Sequence, residues 1–125
     1  MNRSPLILAG VAALMDAAGV ALAAAGVHAS GGELALRGAE FLILHACAAL
    51  AIAAHVGIAA TSARALVWVG FAMEAGAALF SGELAARAFT GERIFPFAAP
   101  IGGSTMILSW VALAVVFALA ARRER

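Results

Sequence analysis

The chain has little charge, no lysine, three prolines and a single cysteine. Only 12% of its 125 residues are charged, against about 25% in soluble domains, so it has too little polar sequence to clothe an ordinary water-facing surface. Eight arginines against seven acids leave a net charge of +1, and a basic face for nucleic acid is excluded. The sole basic cluster is Arg122, Arg123 and Arg125 at the end. Cys47 lies inside an apolar run. That excludes an internal disulfide and any zinc motif built on cysteine pairs, and leaves Cys47 as an expected small core residue. No Ser-His-Asp order, H-E-x-x-H or His-box pattern occurs. We therefore expect no enzyme, no catalytic residue and no cofactor.

What is present is hydrophobic sequence, 65% of the chain, with a mean hydropathy of +1.03. A hydrocarbon core about 30 Å thick needs roughly 20 mostly apolar residues per helix. Four runs meet that length, at 5–27, 38–60, 64–86 and 100–121. The expected fold is all-α: an integral membrane, antiparallel four-helix bundle forming one transmembrane domain over residues 1–125. No length remains for a domain in water, so function must lie in the bilayer, at its surfaces or in contact with partners. The first run follows Arg3, and Val27-His28-Ala29 resembles a signal-peptide cleavage site. Its apolar stretch outlasts the roughly 7–15 residues of a signal h-region, and it reads as a mature helix.

With four spans both ends lie on one side. Arg3, Arg64, Arg122, Arg123 and Arg125 fall there, and Arg37, Arg87 and Arg93 fall on the other. The positive-inside rule then predicts cytoplasmic termini. The connector Thr61-Ser62-Ala63-Arg64 is short enough to force its two helices together, and Thr61 or Ser62 can cap the second. The first connector, His28 to Arg37, breaks at Gly31-Gly32 and carries enough charge to sit among headgroups. The third, Thr90 to Gly103, has Pro96, Pro100 and a Gly pair among Ile94, Phe95 and Phe97. It is expected to lie along the outer interface or dip into it, where its backbone needs protein or water partners.

Several segments, in order, resemble the domain of unknown function 423 family, which includes small bacterial inner-membrane proteins and the animal transmembrane protein 256 group. Ala24-Ala-Gly-Val-His28 is similar to a family segment ending the first helix, with Gly26 and His28 in place. Glu40-Phe41 followed by His45-Ala46 resembles a second. Leu79-Phe-Ser81-Gly82 and Pro100-Ile-Gly102-Gly103 resemble two more, and Trp110 stands where the last helix of the family carries Gly-Trp. The resemblance implies a four-helix, multi-pass inner-membrane protein and no established activity. The chain departs from the pattern at Asp16, Glu74, Glu83 and His55, which stand where the family has small, apolar or serine residues.

An ionised side chain at mid-bilayer costs about 2.5–3.5 kcal/mol on insertion scales, so such residues face protein, a cavity or a partner. At about 1.5 Å per residue from the outer boundary, Asp16 lies roughly 18 Å deep, Glu74 about 20 Å and His45 about 12 Å. These three form a candidate intramembrane polar network. Asp16 lies among Ala9, Ala12, Ala13, Gly19 and Ala23, a face small enough for another helix to approach closely. Glu74 shares a face with Gly70, Ala77, Ala78 and Ser81, whereas Glu83, nine residues on, points the opposite way. Glu83 and Arg87 are spaced as an i,i+4 pair near the outer interface. They form a candidate interface.

Haem would want two histidines at similar depth on facing helices. His28, His45 and His55 do not offer that, and a metal on His28, Glu40 and His45 requires the first connector to fold inward. Gly10, Gly19 and Gly26 lack the strand and Lys-Ser/Thr of a phosphate loop and read as helix packing. Ser104, Thr105 and Ser109 can bond back to their own helix. Two function classes result. One is a structural or accessory subunit that binds a larger membrane complex or itself. The other is a small transport or sensing protein for protons, cations or an apolar molecule, which four helices would perform only as an oligomer, since no internal repeat is visible. The expected partners are lipid and other membrane subunits or copies of this chain.

Overall fold

The computed structural model describes residues 3–28, 30–58 and 62–123. It is all-α, with four helices: α1 (Ser4–His28), α2 (Gly32–Ile58), α3 (Ala63–Thr90) and α4 (Ala98–Arg123). All four are long and apolar enough to cross a membrane. In hydrocarbon a helix satisfies its backbone within the segment, which is why sequence this apolar takes that form.

The helices run further than the apolar runs alone suggest. α2 begins at Gly32, so most of the expected first connector is helix. α4 begins at Ala98 and takes in Pro100, Gly102 and Gly103, which shortens the third connector to 91–97. Pro100 fits there because a first-turn residue has no intrahelical acceptor for the N–H that proline lacks. The two glycines serve packing rather than a loop. A Cβ on Gly102 would lie 2.6 Å from the Phe80 nitrogen and 2.7 Å from the Gly76 carbonyl, so α3 and α4 touch backbone to backbone.

α3 ends on Gly91, whose φ of 74° lets its N–H reach the Arg87 carbonyl at 3.1 Å. This left-handed stop suits a residue without a Cβ. At its other end Ser62 has φ 59° and makes no side-chain cap hydrogen bond, contrary to the expectation. A capping side chain needs extended backbone at that position, and Ser62 is left-handed. Thr61 lies outside the described residues.

α3 is the centre of the packing: it contacts α1, α2 and α4, and α1 also packs on α2. Small residues bring the backbones close. Gly19 faces Ile43, Gly70 faces Leu8 and Gly38 faces Ser81. Two apolar clusters fill the interior. One contains Leu8, Ala12, Ala49, Ile52, Leu66 and Val67, with Phe71 and Leu113 against it. The other contains Leu42, Ala77 and Met106, with Met15, Phe41 and Phe80 against it. Cys47 belongs to neither and is exposed on α2. Its small size suited a core position, but residue volume does not reveal which way a helix in lipid faces.

Candidate functional site

Between the two clusters lies a polar layer. His45 falls between Leu42 and Ala49, Glu74 between Phe71 and Ala77, and Ser109 with Trp110 between Met106 and Leu113. On α1, Asp16 directly follows Met15 and stands one turn past Ala12. Leu8 meets Gly70, and Met15 packs against the cluster that holds Ala77. Asp16 is thus about four residues, roughly 6 Å, beyond the level of Glu74. The expected trio of Asp16, His45 and Glu74 occupies one region of the bundle, but no hydrogen bond joins them.

His45 is 3% exposed and has both ring nitrogens engaged. Trp110 Nε1–H can only donate, and it reaches His45 Nε2 at 3.1 Å. That nitrogen must accept, so the proton sits on Nδ1 and is donated to the Phe41 carbonyl at 2.6 Å. The imidazole is neutral in this arrangement. Its ring meets Trp110 edge-on at 6.1 Å, while Phe41 stacks on it at 6.0 Å and tilts against Phe80 at 4.9 Å. These rings border an apolar cleft of about 380 Å³ lined also by Leu44, Gly103, Met106 and Ile107. Sequence reasoning noted Trp110 only as a family marker. The signal available was its indole N–H, which wants an acceptor wherever the ring is partly buried.

Glu74 is 2% exposed, and neither carboxyl oxygen has a hydrogen-bond partner. Gly70 and Ser81 on the same face meet Leu8 of α1 and Gly38 of α2, so Glu74 projects toward the junction of those helices. Asp16 is half-buried at the edge of the buried stripe of α1. Its Oδ1 is enclosed and also unpartnered.

Glu83 corrects an expectation. It is 2% exposed, and its Oε2 accepts the Ile94 N–H at 2.7 Å. Among the described residues it forms no ion pair with Arg87. The carboxylate meets a backbone donor of the 91–97 connector that helix geometry leaves unsatisfied, which burial favours over an arginine free to reach water. Glu83 is therefore a buried latch on that connector and not an exposed docking group.

The remaining motif residues are packing positions or ends. Ser81 Oγ donates to the Gly38 carbonyl at 2.7 Å, tying α3 to α2. Gly26 packs on Ala35, and Gly82 lies near Ile94. His28 is the exposed last residue of α1, and Glu40 is exposed on α2. Thr105 and Ser109 bond back to the Ile101 and Thr105 carbonyls at 2.8 Å, as their type suggests. Among the described residues no three His, Cys, Asp or Glu side chains gather as a metal ion would require.

No solved structure matches the chain. A family model does, over residues 17–103, a stretch that begins just after Asp16, contains the His45, Glu74 and Glu83 positions and stops short of Trp110. The chain belongs to that family, described as a protein of unknown function (DUF423).

Proposed function

We propose that this chain is a non-enzymatic structural or accessory subunit of a bacterial inner membrane, an antiparallel bundle with both termini cytoplasmic, which binds a larger membrane complex or copies of itself. The observation that carries this reading is the outer face of α1. Gly10, Ala13, Ala17, Ala21 and Ala24 are all exposed and fall on one side of the helix, and a Cβ at Gly10 would meet nothing within 4 Å. A face with so little side chain lets another helix approach closely, and lipid tails gain less from it than a helix does. The test is native mass spectrometry of gently extracted membranes, joined to disulfide trapping of Ala17→Cys in a Cys47→Ala background. A stoichiometric complex that Ala17→Leu disperses supports the proposal; a lone chain with no trapped partner refutes it.

A second reading, proton- or cation-linked transport or sensing by an oligomer, is favoured by one observation. Among the described residues the enclosed oxygens of Glu74 and Asp16 have no donor. Ion flux into liposomes, lost in Glu74→Gln with assembly intact, would select it.

A further inference from the structure

Among the described residues, three enclosed side-chain atoms lack a hydrogen-bond partner, and all are carboxyl oxygens: Asp16 Oδ1, Glu74 Oε1 and Glu74 Oε2. The polar side chains near the level of Glu74 are committed elsewhere. From α2, His45 has both nitrogens occupied. From α4, the Ser109 hydroxyl donates to the Thr105 carbonyl and the Trp110 N–H to His45. The other buried acid of α3, Glu83, stands nine residues further on and is held by Ile94. From α1 comes Asp16, a second acid. The chain has no lysine, and its arginines lie toward the helix ends, so a negative charge at Glu74 meets neither donor nor counter-charge.

A carboxylate in that position requires a cation. A metal ion needs several ligands, and no three suitable side chains converge here. A proton needs one oxygen and no cavity. We propose that Glu74 is a proton-binding site at the centre of the bundle, exchanging its proton by way of Asp16. Asp16 is placed for that role because it is half-buried, with Oδ1 enclosed and the residue at the border between the interior and the exposed face of α1. It is also within about one helical turn of Glu74 along the axis. The inference deepens the second reading above, and the site does not itself require net flux.

Two measurements on the full chain in liposomes test it. Dicyclohexylcarbodiimide is an apolar reagent that adds across the O–H of a protonated carboxyl, its nitrogen taking the proton and its central carbon the oxygen. The expected adduct maps to Glu74 and not to Glu83, and it fades as pH is raised. Infrared spectroscopy reads the same group: the carbonyl band of a protonated carboxyl should be lost in Glu74→Gln and should shift more slowly on transfer to D2O in Asp16→Asn. No adduct on Glu74 at any pH overturns the site, and this readout needs no variant to fold. An unchanged exchange rate in Asp16→Asn overturns the role given to Asp16. Adduct formation without proton flux removes the transport reading and leaves the site standing.

Discussion

Glu74 and Glu83 lie nine residues apart on one helix and are each 2% exposed, yet they are opposite cases. Glu83 accepts a backbone N–H and fixes the connector between α3 and α4. Glu74 accepts nothing. Burial alone therefore does not distinguish a satisfied acid from an unsatisfied one; the donor count does. A satisfied carboxylate adds to stability, whereas an unsatisfied one subtracts from it and calls for a ligand.

The largest effect is expected from Glu83→Ala, which leaves the Ile94 N–H without its acceptor and should destabilise the fold by about 1–3 kcal/mol. Thermal unfolding in detergent reads it, and Glu83→Gln, which retains an acceptor oxygen, should fall between the variant and the parent. Glu74→Met should move the melting temperature the other way. Replacing an unpartnered buried acid by a hydrophobe of similar size should stabilise by roughly 1–2 kcal/mol, and a loss of stability there would erase the contrast. Trp110→Phe asks whether His45 belongs with Glu83 among the satisfied groups. It removes the one donor to Nε2 and should cost about 1 kcal/mol in the same assay. Arg87→Ala should change stability by less than about 0.5 kcal/mol, since among the described residues Arg87 holds no carboxylate; a larger loss would mean that Glu83 depends on it after all.

The helices were legible in the sequence because the length and apolarity of each run are local properties. Their ends were less so. Glycine and proline near residue 100 read as loop, and only the contact of Gly102 with Gly76 and Phe80 explains them as helix packing. The facing of Glu74 was recoverable from its spacing with Gly70 and Ser81. The partner of Glu83 was not, because an acceptor eleven residues from its donor depends on how the 91–97 connector turns back, and the i,i+4 spacing to Arg87 offered a nearer alternative. The bond from Trp110 to His45 spans 65 residues. No periodicity within one helix could have announced it.

The two apolar clusters also have an electrical meaning. They lie on either side of the Glu74 layer like two capacitors in series, each holding part of any voltage across the bundle. A proton bound at that layer would have crossed about half the field, worth about 1 kcal/mol for each 100 mV. Its occupancy would then follow membrane potential as well as acidity, and energising the membrane would load or unload Glu74 at constant pH.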